Sequence, residues 1–247
     1  DGCEQTVAEH NNGVAKIARN IGNQYGIGSL SMFTGRHHDD GKNTQEYLAY
    51  LKAAADGKSV VRGSVIHSTY GALLANNLAN PTNTTERLAA EMARTAIISH
   101  HGLRDCLSAD GKSSFQAAIT HISDSYNTVE QIVYELYGKD AIESEFHKAC
   151  GDVETIKAKI KGFNSAKQGY GSSHFYLAMY MRLLTSIVID ADRTDTACFE
   201  DGVEPKPLTT CQERKKMWNS YLSRCNAKVK RFQYEKEPSS LALCVAT

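Results

Sequence analysis

Apolar residues recur every three to four positions along almost the whole chain, and strict apolar–polar alternation hardly occurs, so the pattern predicts an all-α fold. The first helix is expected from about Glu4 to Gln24, with Val7, His10, Val14, Ile17 and Ile21 on one stripe, before the Gly26-Ile27-Gly28 break. His10 therefore faces inward. A second helical region carries His37-His38-Asp39-Asp40-Gly41-Lys42, then Tyr47, Leu48 and Leu51, and ends near Asp56-Gly57-Lys58. A third spans about His67 to Ala79 and stops before Asn80-Pro81. A fourth runs from about Thr85 to His101, capped by Thr84 or Thr85 and ended by Gly102.

Farther along, shorter helical patterns surround Phe115, Ala118, Ile119 and Ile122, then Val129, Val133 and Leu136. The glycines and serines from Gly162 to Ser173 predict a mobile loop before a strongly apolar helix from about His174 to Thr196. A loop with Pro205 and Pro207 follows, and a last helix from about Thr210 to Glu235 carries Arg214, Lys215, Lys216, Arg224, Lys228, Lys230 and Arg231. Residues 1–197 are thus expected to form one domain, with 198–247 a loop and basic helix packing on it.

Composition changes this picture little. The 247 residues are 41% hydrophobic and 23% charged, enough for a real core and against wholesale disorder. Lysine plus arginine equal aspartate plus glutamate at 28 each, so any nucleic-acid contact must come from local patches. The lysines at 157, 159, 161 and 167, with Phe163 and Tyr170, are one such stretch, although a solvated loop is the simpler reading. Seven scattered cysteines without a C-x-x-C pair fit reduced thiols and a cytoplasmic location. Apolar runs fall short of the roughly 18 residues a membrane span needs, and no leader is visible. A start at Asp1 fits an excised fragment or a processed product.

The histidines change the picture more. His10, His38-Asp39, His67 and His100-His101 sit at helix-length intervals, beside helix ends or acidic residues. Imidazole and carboxylate suit divalent transition metals, and a helical bundle can draw such ligands together from several helices. Adjacent residues on a helix point about 100° apart, so His38 and Asp39 cannot both reach one metal easily. Two metals bridged by Asp39 remove that difficulty. A carboxylate bridge holds such a pair about 3.5 to 4 Å apart, suited to polarising a phosphoryl oxygen and acidifying a shared water. Lys42 is placed to neutralise charge developing on a phosphoryl group. His37 offers a competing ligand, while His121, His147 and His174 read as ordinary side chains.

The ordered set His10, His38-Asp39-Asp40-Gly41-Lys42, His67-Ser68-Thr69-Tyr70-Gly71-Ala72, His100-His101-Gly102 and Asp190-Ala191-Asp192-Arg193 resembles the HD nuclease domain of the CRISPR type I interference nuclease-helicase. The resemblance runs from His10 to about Asp195. It implies an HD-domain helical bundle whose dinuclear site cuts single-stranded DNA, with His10, His38, Asp39, His67, His100, His101 and Asp192 as ligands and Lys42 assisting. Periodicity serves Asp190 and Asp192 equally; the family pattern favours Asp192. Manganese, iron, cobalt or nickel suit the ligands, magnesium being possible and zinc inhibitory. The expected partners are single-stranded DNA, a helicase domain or subunit and an RNA-guided surveillance complex, with no membrane. The chain departs from the family pattern at His37, where an apolar residue is commoner. It also has no phosphate-binding loop: Gly57-Lys58-Ser59 and Gly111-Lys112-Ser113 lack the glycine five residues earlier. It is therefore expected to be a separately encoded nuclease or the N-terminal piece of a larger protein. Two other functions fit the same residues: an HD phosphohydrolase of nucleotides or cyclic nucleotides, and an interaction domain with structural metals.

Overall fold

The computed structural model describes residues 4–61, 63–102, 107, 111–120, 122, 125–165 and 173–234. Among these the fold is all-α, with an isolated bridge between Leu107 and Ser113 as its extended pairing. The helices are α1 (Val7–Asn23), α2 (Gly28–Arg36), α3 (Gln45–Ala55), α4 (Thr69–Leu78), α5 (Thr84–Ser99), α6 (Ser114–Ile119), α7 (Tyr126–Tyr137), α8 (Lys139–Ser165), α9 (Ser173–Asp201) and α10 (Cys211–Tyr234), with a 3₁₀ turn at Asp40–Asn43. The chain divides into two compact units, 1–205 and 206–247.

In the first unit, α1 begins at Thr6, whose hydroxyl accepts the Glu9 amide while the Glu9 carboxylate accepts the Thr6 amide. This reciprocal box satisfies two donors that a helix start otherwise leaves bare. Val14, Ile17 and Ala18 then bury the inner stripe of α1 against α2 and α9. α8 packs on the other side of α2, where the Asp152 carboxylate accepts the Leu30 amide at 2.8 Å. Arg36, at the far end of α2, pairs with Glu145 of α8 at 2.9 Å. Leu30, Phe33, Ala93, Ala96, Phe146, Val153, Leu184 and Ile187 fill the space between α2, α5, α8 and α9.

The structure changes several sequence boundaries. The second helical region is not continuous: α2 ends at Arg36, His37 (φ −106°, ψ 8°) and Asp39 (φ −119°, ψ 20°) leave helical geometry, and α3 restarts under a Thr44 cap. α5 is capped by Asn83, whose side-chain oxygen accepts the Thr85 and Glu86 amides, rather than by Thr84 or Thr85. α8 runs unbroken to Ser165, so Gly162 to Ser165 are helical where a loop was expected, and 166–172 lie outside the described residues. A glycine costs only about 1 kcal/mol inside a helix, and the buried face of Ile142, Phe146, Val153, Ile156 and Ile160 outweighs it. α9 likewise passes the expected boundary at 197 and ends at Asp201 before Gly202 (φ +63°).

The second unit holds α10, with Trp218, Leu222 and Val229 exposed beside its basic residues. Cys150, Cys198, Cys211 and Cys225 are free thiols. No described helix is long and apolar enough to cross a membrane.

Candidate metal centre

The break after α2 answers the problem posed by adjacent ligands. Because His37 to Asp39 lie in a turn, His38 and Asp39 need not diverge by a helical step, and both enter the same buried space. Glycines permit the turn to seat closely. A Cβ on Gly71 of α4 would lie 1.7 Å from the His37 carbonyl oxygen, and one on Gly41 would lie 2.2 Å from that of His67.

Around this turn the side chains gather in two groups: His10, His38, Asp39 and Asp192; and Asp39, His67, His100 and His101. Within each group one nitrogen or oxygen per residue lies within 4.8 Å of all the others, a spacing that can hold a metal ion. Asp39 belongs to both, and its two oxygens are divided between them. Oδ2 faces His38 Nε2 at 3.2 Å and His10 Nε2 at 3.7 Å, while Oδ1 faces His67 Nε2 at 3.3 Å and His100 Nε2 at 3.5 Å. Asp192 Oδ1 completes the first group at 3.2 Å from His10 Nε2 and 3.6 Å from His38 Nε2. In the second, His67 Nε2 and His101 Nε2 approach to 2.7 Å.

The outer ring nitrogens show why the inner ones are presented as ligands. His38 Nδ1 lies 2.8 Å from the Gly35 carbonyl oxygen, His100 Nδ1 2.6 Å from that of Ile97, and His67 Nδ1 3.3 Å from that of Val65. A carbonyl oxygen only accepts, so each Nδ1 carries hydrogen and each ring turns its Nε2 inward. His10 Nδ1 is held instead by Asp195 Oδ2 at 2.9 Å, an oxygen that also accepts from Gln5 at 2.9 Å. The inward His10 Nε2, His38 Nε2, His100 Nε2 and Asp39 Oδ1 are buried without hydrogen bonds. Such a cluster of buried polar atoms without partners is costly unless a cation satisfies it, so this donor set fits a metal.

Charge is arranged in the same sense. Burial opposes ionisation of Asp39, but His38, His100 and Lys42 hold its carboxyl well below the usual range. Burial likewise opposes a charged His38, yet Asp39 and Asp192 raise it to about 10. The second group behaves differently: burial, then His100 and His67, push His101 down to about 4, and burial also lowers His67. Those two rings are neutral at neutral pH. Lys42 Nζ lies 2.5 Å from Asp39 Oδ2 and remains charged, burial being outweighed by Asp39.

Comparison of the chain with protein-family models, curated proteins and solved structures gives no match. The centre therefore rests on its own geometry. All seven expected ligands come together here, with Lys42 beside them. Asp190 does not: it is exposed on α9 while Asp192 turns inward. His37 is fully buried but stands outside both groups, with Nδ1 held by Asp40 Oδ2 at 2.8 Å and its ring against Phe33 and Tyr137. His147 and His174 are exposed, and His121 lies outside the described residues. Asp195 was missed as a functional residue. Its signal was the three-residue step from Asp192, which places both on one face of a helix.

Proposed function

We propose that the protein is a metal-dependent phosphohydrolase of the HD class that cuts single-stranded DNA. The observation that carries the proposal is the division of Asp39 between two ligand groups, one oxygen to each. His10, His38, Asp39 and Asp192 would hold one divalent ion, and Asp39, His67, His100 and His101 a second. Bound there, the metals would supply Lewis acidity toward a phosphoryl oxygen and acidify water. Manganese, iron, cobalt and nickel suit this nitrogen-rich set, magnesium less so.

The protein's own side chains orient and neutralise. The carbonyls of Gly35, Val65 and Ile97 fix three histidine rings, and Asp195 fixes a fourth, so the ligands need little rearrangement. Lys42, three residues from Asp39 in the 3₁₀ turn, places its ammonium at the rim, where charge builds on a phosphodiester under attack. The resemblance extends the proposal to CRISPR type I interference, with a helicase delivering the strand and an RNA-guided surveillance complex recruiting the nuclease.

A second reading, hydrolysis of small nucleotides, is favoured by a recess of about 460 Å³ beside His67 and His101. Metal-stripped protein, resupplied separately with manganese, cobalt, nickel, ferrous iron or magnesium, is to be tested on single-stranded DNA, double-stranded DNA and nucleotides. Metal-dependent loss of the single strand, absent in Asp39→Ala, is the expected result. Cleavage by metal-free Asp39→Ala rules the proposal out; turnover of nucleotides alone selects the second reading.

A further inference from the structure

The recess beside the metal centre is lined by two chemically different sets of residues. Lys42, His67 and His101 form the polar set, His67 and His101 being shared with the second ligand group. Tyr47, Tyr50, Gly63 and Val65 make up the rest of its described lining, and none of these four carries a charged side chain. A phosphate suits the polar set and is poorly served by the tyrosines. A flat, neutral, polarisable group suits the tyrosines.

The aromatic wall is held in place by the segment that carries the ligands. Thr44, next to the 3₁₀ turn, donates its hydroxyl to the Gly41 carbonyl at 2.9 Å and accepts the Tyr47 amide at 3.1 Å. The Tyr47 ring meets His67 edge-on at 5.1 Å and lies 5.9 Å below the Lys42 ammonium. Tyr50, one helical turn on, tilts 40° from Tyr47 with the ring centroids 5.8 Å apart. Gly63, which also lines the recess, is in left-handed conformation (φ +80°), with nothing within 4 Å of where a Cβ would stand, so it leaves the volume open. At about 460 Å³ the recess falls within the range of ligand sites and has room for a nucleotide.

We infer that the Tyr47–Tyr50 recess is a nucleobase subsite, holding the base of the nucleotide whose phosphate lies at the metal centre. The inference rests on the phosphohydrolase reading for the position of the phosphate and adds what recognises the rest of the substrate. Stacking on tyrosine tolerates any base. It demands an unpaired one, because a base in a duplex has both faces covered and its edge engaged. Selection for single strands then belongs to this recess rather than to the metals.

The test is equilibrium binding of thymidine 5′-monophosphate and of 2-deoxyribose 5-phosphate, its counterpart without a base, to the full chain with and without manganese. Wild type is expected to prefer the nucleotide by roughly 5- to 150-fold, the range of one base–aromatic stack. Tyr50→Ala is expected to remove most of that preference and Tyr50→Phe to keep it, since the ring rather than the hydroxyl is used. Equal binding of the two probes by wild type, or a preference unchanged in folded Tyr50→Ala, overturns the subsite. Dependence on manganese reports separately on the metal centre. A base preference that survives while manganese has no effect supports the recess and counts against the phosphohydrolase reading.

Discussion

At the scale of single residues, protons compete with metal. In the metal-free protein the neighbouring carboxylates raise His38 to about 10, so at pH 7 its Nε2 holds a proton that a metal must displace. His101, lowered to about 4, is already deprotonated. Affinity at the His10, His38, Asp39 and Asp192 group should therefore rise by about tenfold per pH unit, from neutral pH up to the His38 value. Calorimetry in buffers of different ionisation enthalpy reads the proton directly; metal uptake with no proton release between pH 7 and 8 would contradict this assignment. Asp195 supplies a second residue-level prediction. Asp195→Ala frees the outer nitrogen of His10 and should weaken metal binding about 10- to 100-fold without unfolding the protein. Titration with cobalt, followed by its visible spectrum, measures the loss.

At the scale of elements, close approach between helices holds the ligands in register, and glycines mark where. A Cβ on Gly13 of α1 would stand 1.8 Å from Asp195 Oδ1 of α9. The obstacle is the end of a side chain, so Gly13→Ala should push the carboxylate off His10 and reproduce the metal defect of Asp195→Ala, with stability changed little. Gly71→Ala meets an obstacle of a different kind, the His37 backbone carbonyl at 1.7 Å. Backbone cannot swing aside, so α4 must move off the ligand turn at a cost of about 1 to 3 kcal/mol or more. Urea unfolding of the two variants should separate them: a lowered midpoint for Gly71→Ala and a near-normal one for Gly13→Ala. The elements were only partly legible beforehand. Apolar periodicity located α1, α4 and α5 to within a few residues, but could not reveal that the second helical region breaks at His37. That break depends on the packing of α4 against the turn, which no local pattern records.

At the scale of the whole molecule, every candidate ligand among the described residues, and every element that positions one, lies within residues 1–205. A chain ending at Pro205 should therefore bind metal with the same stoichiometry and affinity as the full chain; a lost metal equivalent would place part of the centre's support in residues 206–247. The sequence by itself determined the helical class, through its three-to-four-residue apolar period, and the residue types able to bind metal, through the spaced histidines and aspartates. It also offered Asp190 and Asp192 on equal terms by periodicity, because a half-buried helix can turn either aspartate inward. The tertiary structure decided between them, since burial of Leu184, Val188 and Ala191 fixes the rotation of α9 and directs Asp192 toward His10. It likewise set His37 apart, gave Asp195 its role and joined two tyrosines to the ligand groups. Each of these depends on distances between segments far apart in the chain, and such distances exist only once the helices have packed.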